Sequence, residues 1–338
     1  MTPAPRAIAV VKLSALGDVV HATPVVEALA DAIPGARITW VVERRQAPLL
    51  RDHPRLHRVV TVDTHAWRHA RTPRALLAVA RTLNGLRREL RASRFDVALD
   101  LQGLVKSGVV VAATGARLRI GFAAGACREP LAALFTNRRV TPPSSARHVV
   151  EQCLALLQPL GVAPPQPPAF RVPTAEAAEQ RVEDFFGASG LKARDRLVVL
   201  NPGAGKPVKR WPVSRFVELG RWLADERAAR VLVLWGPGEE AAARAIAEAP
   251  GAVLAPATDI DDMVAVVRRA SVVVAADTGP LHVAAAVGTP CVGLYGPTSA
   301  ARNGPYGAIH RTVSAADGRM TSITVASVAA AVCEALGA

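Results

Sequence analysis

The stretch VVVAADTGPLHVAAAVGTPCVGLY, residues 272–295, contains a complete strand–helix–strand unit. Val272–Ala276 is a continuous apolar run, which is typical of a strand that is buried on both faces of a sheet. A second apolar segment, Pro280–Val287, begins with a proline, which a helix tolerates in its first turn. Another buried run, Cys291–Tyr295, follows it. Two apolar strands joined by a helix predict neighbouring parallel strands in an α/β sheet.

The same alternation runs through both halves of the chain. In the first half it predicts strands at Ala7–Lys12, Arg37–Val42, Val59–Val62 and Phe95–Asp100, helices at Val19–Ala32 and Pro73–Ser93, and a helix or a buried segment at Ser107–Thr114. In the second half it predicts strands at Leu197–Asn201, Val231–Trp235 and Val253–Leu254, and helices at Ala175–Gly187, Val213–Glu226, Glu239–Glu248, Ile260–Arg269 and Ser322–Leu336. Between the halves, residues 161–175 carry five prolines, which neither a helix nor a central strand accommodates.

The prolines place a linker between two domains. We therefore predict an α/β protein of two doubly wound, Rossmann-like domains that face a cleft. The N-terminal domain is predicted over residues 1–165 and the C-terminal domain over 166–322. A closing helix over 323–338 could pack back toward the first domain. A length of 338 residues suits this arrangement.

The composition is that of a globular protein, since half of the residues are hydrophobic by type and 20% are charged. The most apolar stretch, residues 270–298, is interrupted by Asp277 and other polar residues that a bilayer would penalise. The N-terminal apolar run is too short for a signal peptide, so we expect a cytoplasmic protein. Four cysteines lie far apart and form no CxxC or Cys/His pattern, which predicts neither a zinc site nor a disulfide framework: Cys127, Cys153, Cys291 and Cys333.

The positive charge is concentrated in the first half of the chain. The net charge is +13, and residues 1–170 carry +12 of it. Such an excess can indicate nucleic acid, an anionic membrane surface or an anionic substrate. An arginine-rich proteome would explain the preference for arginine but not the asymmetry. Only 14 aromatic residues and no motif that reads RNA or DNA argue against nucleic acid as a partner.

Ligands of doubly wound sheets bind beyond the carboxyl ends of the strands, so chemistry is expected in the loops that follow the strands. The first such loop, Lys12-Leu-Ser-Ala-Leu-Gly-Asp18, runs from a strand into a helix. Gly17 allows a tight turn, and Asp18 falls near the helix N-terminus, where a carboxylate is stabilised. Asp18 could simply cap the helix or could act as a general base, and the residues leave both roles open.

The second loop, Asn201–Pro212 (NPGAGKPVKRWP), also joins a strand to a helix. Leu200 takes the place of the first Walker A glycine and Pro207 that of the Ser/Thr, which argues against an ATPase. Gly203 and Gly205 still allow backbone amides to approach an anion, although a solvated basic loop would look the same. Three basic residues bring positive charge to this loop: Lys206, Lys209 and Arg210.

The third loop, Trp235–Glu240, carries two adjacent acids. Glu239 or Glu240 could accept hydrogen bonds from ribose hydroxyls, and either could equally well complement the dipole of the helix that follows.

The fourth loop, Ala275–His282, gives the sharpest local pattern. Asp277, Thr278 and Gly279 precede a helix whose free amides form an anion site. His282 lies in the first turn of that helix. A histidine at such a position is more often buried in the core or capping the helix than catalytic.

Five segments resemble glycosyltransferase family 9, and the resemblance runs over residues 7–335. They are VVKLSALGD (10–18), FDVALDLQGLVKSG (95–108), REPLAALF (128–135), KRWP (209–212) and ADTGPLHVAAAVGTPCVGLYGPT (276–298). The resemblance implies a two-domain glycosyltransferase B-type fold, with the acceptor in the N-terminal domain and the nucleotide sugar in the C-terminal one. It further implies ADP-L-glycero-D-manno-heptose as donor and a Kdo residue of Kdo–lipid A as acceptor.

The resemblance also assigns roles to residues. Asp18 matches the family's general base, Lys209 its phosphate-contacting lysine, and Glu239 or Glu240 its ribose-binding acid. Around the pyrophosphate and sugar it places Asp277, Thr278, Gly279 and His282. Where some members have a pair of hydroxyl residues, this chain has Ala204 and Gly205, so backbone amides from Gly203 onward would serve instead.

An inverting mechanism without a metal fits these residues. Asp18 would take the proton of the acceptor hydroxyl, and Lys209 with the amides of Thr278 and Gly279 would stabilise the charge on the leaving ADP. The sequence shows no DxD-type carboxylate pair, so no cofactor and no metal are expected. The basic N-terminal half suits an anionic acceptor at the inner leaflet, with peripheral membrane contact. We expect the acceptor to contact Lys12, Lys106, Arg128 and Arg147.

Three alternatives remain at this stage. Another enzyme of the same family could add heptose or another sugar elsewhere in the lipopolysaccharide core. A nucleotide-sugar epimerase or a non-catalytic nucleotide-binding protein could share the fold, although a pure binding module has no need for Asp18. A dehydrogenase is disfavoured because no GxGxxG follows the first strand.

Overall fold

The computed structural model describes residues 5–64, 67 and 71–337 of the chain. The chain divides into two compact units, Met1–Pro173 and Thr174–Ala338, so the boundary falls somewhat later than the one placed after residue 165. Each unit contains one six-stranded parallel sheet. This architecture confirms the predicted doubly wound α/β class.

The first unit is built on six strands: β1 (Ala7–Val11), β2 (Arg37–Glu43), β3 (Arg58–Val62), β4 (Val97–Asp100), β5 (Leu118–Phe122) and β6 (Arg138–Val140). Its α-helices are α1 (Leu16–Ala32), α2 (Pro73–Ala92), α3 (Val105–Thr114) and α4 (Val149–Ala155). The strand order is β3-β2-β1-β4-β5-β6. The direction of winding reverses between β1 and β4, which pair with Val10 opposite Leu99. The loops after these two strands therefore open at the same point of the sheet edge.

The second unit repeats the plan with β7 (Leu197–Asn201), β8 (Arg230–Val233), β9 (Ala252–Leu254), β10 (Val272–Ala276), β11 (Cys291–Tyr295) and β12 (Arg311–Ser314). Its α-helices are α5 (Glu176–Ala188), α6 (Val213–Arg227), α7 (Glu240–Ala247), α8 (Ile260–Arg269), α9 (Gly279–Ala286), α10 (Ala300–Asn303) and α11 (Val325–Ala335). The strand order is β12-β11-β10-β7-β8-β9, and winding reverses between β7 and β10. The loops after these two strands again meet at one point.

Residues 272–295 fold as their pattern predicts, into β10, α9 and β11. Helix α1 begins at Leu16, three residues before the predicted start at Val19, so Asp18 belongs to its first turn. Three strands were not predicted from the sequence: β5, in which Arg119 and Gly121 interrupt the apolar run, and the edge strands β6 and β12. Both edge strands expose several residues to solvent, and so lack the continuous apolar run that identifies central strands.

The closing helix α11 packs on the second sheet. Val328 and Val332 lie in the core of the second unit, together with Trp211 and Phe216. The indole Nε1 of Trp211 donates a hydrogen bond of 3.0 Å to the carbonyl oxygen of Ile323, just before α11. The expectation that residues 323–338 pack back toward the first domain stays a prediction.

Candidate active site

Asp18 lies in the first turn of α1, directly beyond the end of β1. Its Oδ2 accepts a hydrogen bond of 3.2 Å from the amide of Ala15, and its side chain is 25% exposed. The carboxylate therefore caps the helix, as the simpler of its two predicted roles requires. Two cations also flank it, since Lys12 Nζ lies 3.9 Å from Oδ1 and an Arg128 guanidinium nitrogen lies 3.7 Å from Oδ2. Capping leaves the carboxylate open to solvent, so the two roles are compatible.

Lys12 is buried, with 4% of the residue exposed. Its ammonium donates a 2.8 Å hydrogen bond to the carbonyl oxygen of Leu101, at the end of β4. Burying a charge is costly unless it is paired, and Leu101 and Asp18 supply the partners here. The structure thus places Lys12 in the interior beside Asp18, and a direct contact with the acceptor stays a prediction.

Lys106, in the first turn of α3, is held by three oxygens. Its Nζ lies 2.7 Å from Glu43 Oε1, 3.1 Å from Ser14 Oγ and 3.3 Å from Thr64 Oγ1. Glu43 was not singled out in the sequence. It ends β2, and the rule that ligands gather at strand ends could have identified it. The ion pair balances the charge of Lys106 within the protein.

The two remaining basic residues predicted to bind the acceptor are exposed. Arg128 follows β5 and reaches Asp18, as described above. Arg147 lies on the loop before α4. Across the described parts of the chain, no ion pair joins Arg147 to Asp18. Of the four predicted basic residues, Lys12 and Arg128 pair with Asp18, and Lys106 contacts Ser14 on the loop that leads to it.

In the second unit, Lys209 and His282 converge on Asp277. Lys209 Nζ lies 2.7 Å from Asp277 Oδ2, and His282 Nε2 lies 3.0 Å from Oδ1. Burial alone would raise the pKa of Asp277, but the hydrogen bonds from His282 and Lys209 outweigh it and hold that pKa well below its ordinary value. Asp277 is thus an ionised anchor that holds Lys209 beside the N-terminus of α9.

The N-terminus of α9 is formed by Thr278 and Gly279, with Pro280 in the first turn. The Thr278 hydroxyl donates to the carbonyl oxygen of Ala276 at 3.1 Å, which fixes the turn. A helix N-terminus presents free amides and a positive dipole end, and Lys209 adds a full charge nearby. This combination is suited to a phosphate group.

The loops after β7 and β8 come together through Glu239. Its Oε2 accepts a 2.9 Å hydrogen bond from the Gly236 amide, and its carboxylate lies against Gly203. Glu240 instead forms an ion pair of 2.5 Å with Arg244 on the outer face of α7. The structure therefore favours Glu239 over Glu240 as the acid that faces the loop Asn201–Pro212.

Within that loop, Ala204 is buried and its carbonyl oxygen accepts a hydrogen bond of 3.1 Å from Arg210 Nε. Gly205 is exposed. Arg210 thus braces the glycine-rich turn, while Lys209 points toward Asp277. The described residues contain no cluster of three or more His, Cys, Asp or Glu side chains that could hold a metal ion.

Two Rossmann-like units, with a partly exposed carboxylate in one and a cationic helix N-terminus in the other, are the arrangement expected of a glycosyltransferase, and the comparisons with known proteins identify that class. Residues 83–329 match the family model described as glycosyltransferase family 9 (heptosyltransferase). The chain belongs to this family, and the family decides against the dehydrogenase and epimerase alternatives.

Named relatives agree over almost the whole chain. The chain is 31% identical to lipopolysaccharide heptosyltransferase 1 of Escherichia coli O18:K1:H7 over 324 residues, which cover 95% of each protein. It is similar to the solved structure of E. coli heptosyltransferase WaaC with ADP, with a TM-score of 0.80 and 28% identity over 97% of this chain and 99% of the other. The structure of E. coli WaaC with ADP-2-deoxy-2-fluoro heptose gives a TM-score of 0.77 and 29% identity over 95% and 97% of the two chains.

Proposed function

We propose that this enzyme transfers heptose from ADP-L-glycero-D-manno-heptose to a Kdo residue of Kdo–lipid A, with inversion at the anomeric carbon. The observation that carries the proposal is the similarity over 95% of both chains to a lipopolysaccharide heptosyltransferase 1. Solved relatives with ADP and with a fluorinated ADP-heptose support the choice of donor.

The donor would bind in the second unit. Its pyrophosphate would meet Lys209 and the free amides at the N-terminus of α9, and its ribose would meet Glu239. As the bond from the anomeric carbon to the β-phosphate oxygen breaks, the electron pair leaves with ADP. Lys209, which pairs with Asp277, and the amides of Thr278 and Gly279 at the start of α9 would stabilise the negative charge that develops there.

The acceptor would approach Asp18 in the first unit. The Asp18 carboxylate takes the proton of the acceptor hydroxyl while that oxygen attacks the anomeric carbon, on the face opposite to the departing ADP. Arg128, exposed beside Asp18, is placed to bind an acceptor carboxylate or phosphate. Lys12 would balance the charge of Asp18 from the interior.

The proposal includes catalysis without a metal. Both carboxylate oxygens of Asp277, the acid beside the phosphate site, are already bound by Lys209 and His282. Protein cations and helix amides would then supply the stabilisation that a divalent ion supplies in other transferases.

A lipid-linked acceptor calls for contact with the inner leaflet, and a surface of the first unit suits it. None of the helices in the described ranges is long and apolar enough to cross a membrane.

Leu76 and Leu77 on α2, and Leu131 and Leu134 on the 3₁₀ segment Pro130–Phe135, are each more than half exposed. Both elements pack against α3. Three exposed arginines lie on or beside α2: Arg71, Arg74 and Arg81. Exposed leucines with arginines match an anionic membrane surface.

Transfer should be measured from ADP-heptose to Kdo–lipid A in EDTA, for the wild type and for Asp18→Asn. Asparagine keeps the oxygen that caps Ala15 but cannot accept the proton. We expect EDTA-resistant transfer by the wild type, loss of transfer in the variant, and unchanged ADP binding by calorimetry. A folded wild type that binds ADP but glycosylates only another core sugar would move the assignment to a different acceptor.

Membrane contact is tested separately by sedimentation with anionic and neutral vesicles. Leu131→Ser with Leu134→Ser should reduce binding to anionic vesicles. Ile309→Ser, at an exposed apolar residue of the second unit, is the matched control and should leave binding unchanged. Equal binding by the wild type, the double variant and the Ile309 variant would exclude Leu131 and Leu134 as membrane contacts.

A further inference from the structure

The side chain of Gln102 holds the loop that carries Asp18. Gln102 lies two residues after the end of β4, and only 5% of the residue is exposed. Its Oε1 accepts a 2.7 Å hydrogen bond from the Leu13 amide, and its Nε2 donates a 2.8 Å hydrogen bond to the carbonyl oxygen of Ser14. One amide group therefore binds the backbone of two consecutive residues just ahead of α1.

The Gln102 side chain continues the hydrogen bonding between β1 and β4 beyond the point where their backbone pairing ends. β1 ends at Val11, and the Leu13 carbonyl oxygen accepts a 3.0 Å hydrogen bond from the Glu43 amide on the β2 side. On the β4 side, the partner of Leu13 is the Gln102 side chain. An amide is the group that can satisfy both a donor and an acceptor at this spacing.

The backbone of Gln102 is itself held by the end of β4. Its backbone amide and that of Gly103 donate to Asp100 Oδ1 at 3.0 and 3.1 Å. Gly103 has a φ of +66°, and a Cβ there would lie 3.3 Å from the Cα of Cys127, so this turn has little room to shift. The neighbouring Leu101 carbonyl oxygen binds Lys12. Two consecutive residues thus hold the cation beside Asp18 and the backbone that leads to it.

We propose that Gln102 is a positioning residue that fixes the segment Leu13–Asp18 and so aims the Asp18 carboxylate. The inference rests on the proposed role of Asp18 as general base. Gln102 acts through the backbone of Leu13 and Ser14, and its loss would let the first turn of α1 move relative to the acceptor. Since a displacement of about 1 Å can cost on the order of 100-fold in rate, we expect at least about a tenfold loss of kcat.

The test uses Gln102→Met, which keeps the length of the side chain and removes both hydrogen bonds. kcat should fall at least about tenfold, while the KM for ADP-heptose and the affinity for ADP stay unchanged. Amide hydrogen exchange should rise in a peptide covering residues 12–18 and stay unchanged in peptides of the second unit. Gln152→Met is the matched control, because it removes a glutamine hydrogen bond to the Ala146 carbonyl oxygen in the same unit.

A second comparison separates positioning from general damage. In the Asp18→Asn background, assayed with excess enzyme, Gln102→Met should have little further effect because there is no base to aim. An equal fold-loss in both backgrounds, or unchanged exchange at residues 12–18, would overturn the proposal. If the wild type fails to glycosylate Kdo–lipid A, the proposed function fails, yet the exchange experiment still tests whether Gln102 holds the loop.

Discussion

The carboxylate of Glu239 occupies the space that a side chain on Gly203 would need. A Cβ built on Gly203 would lie 1.8 Å from Glu239 Oε2, well inside any allowed contact. Glu239 is the N-cap residue of α7, and Gly203 belongs to the loop after β7. Glycine at this position therefore allows the loops after β7 and β8 to form one surface, on which the Glu239 carboxylate lies against Gly203.

Gly203→Ala should weaken ADP binding about tenfold or more, because Glu239 must leave its place and a hydrogen bond to a charged group contributes about 1.5–3 kcal/mol. Calorimetric titration with ADP measures the effect. Gly187→Ala on α5 is the control, since nothing lies within 4 Å of a Cβ there. Equal affinity of both variants would contradict the proposed donor surface.

The adjacent acids Glu239 and Glu240 should separate in the same assay. Glu239→Ala should reduce ADP affinity about tenfold, as expected for a lost charged hydrogen bond to ribose. Glu240→Ala should change affinity little, because Glu240 pairs with Arg244 instead. A larger loss in the Glu240 variant would reverse the assignment. 2′-Deoxy-ADP provides a further check, since the Glu239 variant should no longer distinguish it from ADP.

Most central strands could be predicted from sequence because they are buried on both faces and therefore mainly apolar. The exception is β5, in which Arg119 and Gly121 interrupt the apolar run. β10 matches its predicted bounds of Val272–Ala276. The edge strands β6 and β12 could not be recognised in the same way, because β6 has two exposed arginines beside Val140 and no residue of β12 is fully buried. The resemblance to the family, and not periodicity, supplied the roles of the loop residues.

Within the candidate site, the strand-end rule identified the loops that hold the side-chain clusters around Asp18 and Asp277, but not all the partners within those clusters. Lys106 was predicted to meet the acceptor, yet its pairing with Glu43 joins residues 63 positions apart on different elements. Gln102 was likewise missed, since only the fold brings it to Leu13 and Ser14. The choice between Glu239 and Glu240 also depends on side-chain direction at a helix start, which the sequence alone leaves open.

Arg128→Met should raise the KM for the acceptor about fivefold, as expected when one exposed ionic contact of about 1 kcal/mol is lost. The KM for ADP-heptose should stay unchanged, because Arg128 belongs to the first unit. Arg138→Met is the control. It removes the same charge at the first residue of β6, whereas Arg128 lies in a loop beyond the carboxyl end of a strand. An equal rise in both variants would indicate a general effect of net charge.

Asp277 should make the stability of the enzyme depend on pH in a defined direction. Its pKa in the folded state lies below the ordinary aspartate value of 3.8, because the hydrogen bonds from His282 and Lys209 outweigh the effect of burial. A group with a depressed folded pKa contributes stability that is complete above the unfolded pKa and is lost as the pH falls toward the folded one. The free energy of unfolding of the wild type should thus exceed that of Asp277→Asn at pH 5, and the difference should shrink below about pH 4.

Urea unfolding at several pH values measures this difference. The control for the loss of one carboxylate is Asp184→Asn, which replaces an exposed aspartate on α5. A difference that stays constant down to pH 3 would show that Asp277 is not held ionised by Lys209 and His282, and would remove the anchor that keeps Lys209 beside α9.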